Sequence, residues 1–144
     1  MKKTSRREDE TQPLTINHIA IKSKQLELMS EFYRTVLELP LLKTFTDEDG
    51  LRSIWLSLGR SILMLERSDY DQQSALKPTD FIVDKPGYHL LAFSVSIEKQ
   101  SAMRASLHDL KIVIEHESEY TIYFRDPDGN RIGLSSLDVS SVKN

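Results

Sequence analysis

The stretch FRDPDGNRIGL at 124–134 decides the fold. Its centre, Asp-Pro-Asp-Gly at 126–129, has turn composition: proline presets φ and glycine tolerates the left-handed conformation. On either side, EYTIYFR (119–125) and NRIGLSS (130–136) read as the two strands of a hairpin. Upstream, a short strand is expected at 112–115. A helix is expected at 97–110, with Met103, Leu107 and Leu110 on one face, and a strand, YHLLAFSV, at 88–95. The order is β-α-β-β-β.

The same order occurs earlier in the chain. A strand at 16–21 (INHIAI) is followed by a helix over about 24–38, in which Leu26, Met29, Phe32, Tyr33, Val36 and Leu37 recur at helical spacing. Ser23 is the expected N-cap, and Pro40 ends the helix. A strand at 41–46, a DEDG turn at 47–50 and a hairpin of LRSIWLSL (51–58) and SILMLER (61–67) complete the unit. The fold class is therefore α+β: paired βαβββ modules forming a curved mixed sheet around a cleft, with the helices outside. One domain spans 14–137, with module one at 14–67, a polar connection at 68–86 and module two at 87–137. A disordered arm is expected at 1–13 and a tail at 138–144. Phe81, Ile82 and Val83 form an apolar cluster inside the connection, expected to cover a core or pocket.

Composition narrows the function. The 144 residues are 39% hydrophobic and 28% charged, which fits a globular domain; no apolar run approaches the ~20 residues a membrane span requires. Nineteen basic against 22 acidic residues give a net charge of −3 and no general electrostatic reason to bind nucleic acid. With no cysteine, disulfides, thiolate metal sites and cysteine nucleophiles are excluded. Nucleotide-binding glycine motifs and the serine-hydrolase elbow are absent from the sequence. The opening segment has no apolar signal core, so a cytoplasmic location is expected.

The motifs INHIAI (16–21), FYRTVLELPLL (32–42), YHLLAFSV (88–95) and FRDPDGNRIGL (124–134), in this order, resemble the vicinal oxygen chelate superfamily. That group includes glyoxalases, extradiol dioxygenases, and fosfomycin- and bleomycin-resistance proteins. The resemblance implies a scaffold shared by several chemistries rather than one reaction. In its metal-dependent members the first strand of each half commonly gives histidine and the last gives glutamate. Here His18 and His89 match the histidine positions, while Met64 and Gly133 stand where the glutamates would be. Glu38 also replaces the glycine usual after the first helix.

Two readings follow. In the first, the chain is a small-molecule-binding protein with a degraded metal site and no cofactor. Trp55, Met64, Leu91, Phe93, Tyr123 and Gly133 then line its pocket, and the two histidines are hydrogen-bonding groups. In the second, a divalent metal (zinc, nickel, iron or manganese) held by His18, His89 and Glu66 serves a lyase, isomerase or dioxygenase acting on a small oxygen-rich substrate. Glu66 enters as the carboxylate on the same strand face as Met64, about 7 Å further along. Glu115, His116 and Glu117 are a second ionisable cluster, and His108 is expected on the surface of a helix. Loss of both carboxylates weighs towards the metal-free reading, and retention of both histidines towards the other. A homodimer is expected, because the resembling modules commonly complete their clefts near a two-fold interface.

Overall fold

The computed structural model describes residues 13–70 and 86–142. Among these residues two four-stranded mixed sheets form, each with one helix, and they do not close into a barrel. Module one runs β1 (His18–Ser23), α1 (Leu26–Thr35), β2 (Leu41–Asp47), β3 (Gly50–Ser57) and β4 (Ile62–Arg67). Module two runs β5 (Leu91–Ser94), α2 (Ile97–Asp109), β6 (His116–Glu117), β7 (Thr121–Arg125) and β8 (Arg131–Ser135), and a 3-10 turn at Val139–Val142 follows. The sheet orders are β1-β4-β3-β2 and β5-β8-β7-β6, so the repeat read from sequence is a repeat of topology. In both, the first strand pairs in parallel with the last, and the remaining pairs are antiparallel.

Strand alternation divides each sheet into two faces. Ile54, Leu56, Leu63 and Leu65 of module one, and Ile122, Phe124, Ile132 and Leu134 of module two, are buried. They share one core with Leu26, Met29 and Tyr33 of α1 and with Met103 and Leu107 of α2. The opposite faces carry Ala20, Met64 and Trp55 in one row and Ala92, Gly133 and Tyr123 in the other.

The modules pair within the chain, and the Asp-Pro-Asp-Gly turn is the joint. Asp126 is buried. Its Oδ1 accepts the backbone N–H groups of Asp128 and Asn130, and its Oδ2 accepts Asn130 Nδ2 at 2.8 Å and the Tyr33 hydroxyl at 2.7 Å. Gln25, at the head of α1, donates to Asp128 Oδ1 at 2.6 Å. The turn thus builds its own hairpin and receives the helix of the other module. Burial raises the Asp126 carboxyl above its ordinary value despite the hydrogen bonds that favour its charge. Burial and the adjacent carboxylate likewise raise the Tyr33 phenol.

Several boundaries differ from the sequence reading. The residue capping α1 is Gln25, which makes no side-chain cap; Ser23 sits two residues too early, and its hydroxyl accepts the Gln25 N–H instead. Ser96 does cap α2, accepting from Lys99 N–H at 3.0 Å. The strand expected at 112–115 forms at His116–Glu117, while Ile112 and Ile114 pack on the core without ladder pairing. Beyond the ends of α1 and α2, Glu38 and Lys111 both have φ of 58°, so each module leaves its helix through a left-handed residue that is not glycine. The Phe81–Val83 cluster, most of the connection and nearly all of the expected N-terminal arm lie outside the described residues.

Candidate functional site

A cleft of about 750 Å³ lies along β1 and the segment entering β5, and both His18 and His89 line it, with Ala20, Lys22, Leu90 and Arg131. The two histidines reach it differently. His18 is on β1, two residues before Ala20, which pairs with Met64. In module two the residue paired with Gly133 is Ala92, and two before it stands Leu90. The register equivalent of His18 is therefore Leu90, and His89 is offset by one residue. His18 reaches the cleft from within a strand and His89 from the segment before one.

Local hydrogen bonds separate them further. His18 Nδ1 lies 2.8 Å from Asn17 Oδ1, an acceptor; Nδ1 carries the hydrogen and Nε2 keeps its lone pair. His89 Nε2 lies 3.2 Å from Arg131 Nη1, a group that can only donate. The His89 lone pair is thus engaged by a guanidinium, and a metal ion at that nitrogen would sit against a positive charge. Arg131 also contacts Glu115 Oε2 at 3.4 Å, and Arg125 Nε donates to Glu115 Oε1 at 2.5 Å.

At Gly133 the site is filled from above. A Cβ built there would come within 2.9 Å of Leu90 Cδ1 and 3.0 Å of Thr121 Cγ2, so the Leu90 side chain occupies the space a residue-133 side chain would need. The four inward register positions are His18, Met64, Leu90 and Gly133, which offer one nitrogen ligand and no carboxylate. Glu66 does not complete the set. Its register partners are Lys22 and Ser53, and it lies four positions from the partner of His18, about 13 Å along the strand. Among the described residues no three His, Asp or Glu side chains gather in a group able to hold a metal ion. These residues do not fit the two-histidine, two-carboxylate centre implied by the resemblance.

The pocket candidates divide between faces. Trp55, Met64, Tyr123 and Gly133 share the open faces. Trp55 packs on Phe45 at 4.8 Å, and Tyr123 stacks on His116 at 5.3 Å, which gives that histidine an aromatic partner. Ser53 Oγ and Trp55 Nε1 are buried on the module-one face without a hydrogen-bond partner among the described residues. Leu91 borders the cleft, whereas Phe93 packs against the core and lines a separate groove of about 480 Å³ with Leu37 and Met103. His108 is exposed beside Asp109. The sequence reading passed over Arg125 and Arg131. Period-two alternation from Gly133 was the available signal, since it places Arg131 on the same face.

The fold and this cleft define a two-module βαβββ protein with a small-molecule-sized cavity. The sequence profile of the glyoxalase/bleomycin resistance protein/dioxygenase superfamily matches residues 15–134, and the chain belongs to that superfamily. No curated protein matches it in sequence. Among solved structures it is similar to a point mutant of FosX, a genomically encoded fosfomycin resistance protein from Listeria monocytogenes, complexed with Mn(II) and 1S,2S-dihydroxypropylphosphonic acid. That match has 16% identity, covers 90% of this chain and 98% of the other, and has a TM-score of 0.68. A glyoxalase/dioxygenase from Nostoc punctiforme matches at 22% identity over 83% and 88%, with a TM-score of 0.66. Lactoylglutathione lyase from Agrobacterium tumefaciens matches at 20% over 85% and 93%, with a TM-score of 0.58. At these identities the likeness is one of fold. Among the described residues no helix is long and apolar enough to cross a membrane.

Proposed function

We propose that this chain is a small-molecule-binding member of the superfamily whose cleft works without a resident metal. The observation that carries this reading is the Leu90 side chain lying over Gly133. One half of the expected metal centre is replaced by an apolar contact, while Met64 replaces the carboxylate of the other half. Of the two cleft histidines, His18 is the one whose ring keeps a lone pair free of a partner among the described residues, and one imidazole does not make a zinc or iron site. The cleft keeps the attributes of a ligand site: concave, walled by Ile16, Leu90 and Leu91, with a few polar groups converging from two modules.

Calorimetric titration of untagged protein with Mn(II) and Zn(II) tests the reading. It expects no submicromolar site, because one or two exposed imidazoles fall short of the three protein ligands of a catalytic zinc. Submicromolar binding abolished by His18→Ala would establish a metal centre instead and favour the enzymatic reading.

We further propose a homodimer in the cytoplasm. The edge position of β2, with Leu41 and Leu42 exposed on it, supports pairing with a second copy. Light scattering should give twice the chain mass, and a monomer at high concentration would refute the dimer.

A further inference from the structure

We infer that the cleft takes a small organic anion, a carboxylate or phosphate on an apolar body, held by Arg131. The inference rests on the metal-free reading and adds the ligand's chemistry. The polar groups that line the cleft among the described residues are His18, Lys22, Tyr88, His89, Asn130 and Arg131, and none is a carboxylate. That bias runs against a chain whose net charge is −3. Lys22, whose Nζ donates to the Arg67 carbonyl at 3.4 Å, and Arg131 stand on strands of different modules, so both modules bring a cationic residue to the cleft lining.

Arg131 is the anchor. Its side chain is only 10% exposed, and a guanidinium so enclosed requires compensation. Glu115 gives Arg125 the 2.5 Å contact and leaves Arg131 one at 3.4 Å. The other partner of Arg131, His89, accepts through a neutral ring nitrogen and brings no negative charge. Among the described residues, the carboxylate against Arg131 is thus the 3.4 Å contact of Glu115, and an incoming oxyanion supplies a closer one. Leu90 and Leu91 beside Arg131 give the rest of the ligand an apolar wall. The planar fork of Arg131 suits a pair of oxygens on carboxylate or phosphate.

The test uses benzoate, phenyl phosphate and the neutral benzamide as probes, titrated calorimetrically into the full chain at low salt with chelator present. The expected result is that at least one anion binds at least ~10-fold tighter than benzamide and weakens as salt rises. Whichever anion binds more tightly separates carboxylate from phosphate. Arg131→Gln should abolish the preference. Lys22→Gln, at an exposed rim position, should weaken it several-fold without loss of fold. Glu115→Gln should strengthen it by removing the competing internal carboxylate. Equal binding of benzamide, no binding of either anion, or an unchanged preference in both Lys22→Gln and folded Arg131→Gln or Arg131→Lys overturns the inference. Metal content measured on the same sample keeps failure of the metal-free reading distinct: a loaded metal overturns that reading, whatever the anions do.

Discussion

Gly133→Ala is the most informative small perturbation of the cleft. The added methyl would lie 2.9 Å from Leu90 Cδ1 and 3.0 Å from Thr121 Cγ2, against the roughly 3.5–4.0 Å of ordinary carbon contacts. Leu90 is partly exposed and can turn aside, which places the overpacking cost at the low end of the usual range, about 1–2 kcal/mol. Gly133 is not among the glycines with positive φ, so alanine suits its backbone and recovers about 0.4–1 kcal/mol through the unfolded chain. The net expectation is a loss of about 0–1.6 kcal/mol. In a Leu90→Ala background the nearest obstacle is gone, and the same substitution should be close to neutral, limited by Thr121. Urea denaturation of the four proteins closes the cycle, with a coupling of about 1 kcal/mol between positions 90 and 133. Additivity within about 0.3 kcal/mol would refute the contact and the account of why residue 133 carries no side chain.

Tyr33→Phe removes one of the donors to buried Asp126 while leaving the core volume nearly intact, and should cost about 1.5–3 kcal/mol in urea denaturation at neutral pH; a cost under about 0.5 kcal/mol would show that the inter-module bond contributes little. The folded-state pKa of Asp126 is raised above its ordinary 3.8, so the group's pH-linked stability is fully present below that value and is lost as pH rises through the folded value. Asp126→Asn should therefore gain stability relative to wild type across that rise, and a pH-independent difference would contradict the shift. Glu38→Gly should stabilise by about 0.5–1 kcal/mol, because the left-handed residue after α1 no longer carries a Cβ; its exposed ion pair with Lys99 at 3.4 Å offsets little of this, and thermal melting checks it.

The repeat, both helices and the hairpins were legible because they rest on local periodicity and turn chemistry. The Asp126 turn shows the limit of such reading: its composition announced a hairpin, but nothing local announced that Tyr33, 93 residues away, would donate into it. The site was half legible. Met64 and Gly133 share an aliphatic-X-Leu context, and their register partners Ala20 and Ala92 make them equivalent positions of the two modules. His89 was matched to His18 by residue type, although His-Ile-Ala at 18–20 aligns with Leu-Leu-Ala at 90–92. His89 precedes β5 and still lines the same cleft as His18, one residue out of step with it. For Glu66, what sequence could not supply was the parallel register that sets it beside Lys22. The Glu115 cluster was visible as charge, yet its pairing with Arg125 and Arg131 depends on how β6 and β7 meet.

The central claim is that Leu90 and Gly133 have closed one half of the metal centre. Elemental analysis tests it most directly, on untagged protein expressed in medium supplemented with manganese, iron, nickel and zinc and purified without chelator. The account predicts metal far below one ion per chain, in wild type and in His18→Ala alike. One ion per chain in wild type that disappears in His18→Ala would contradict it.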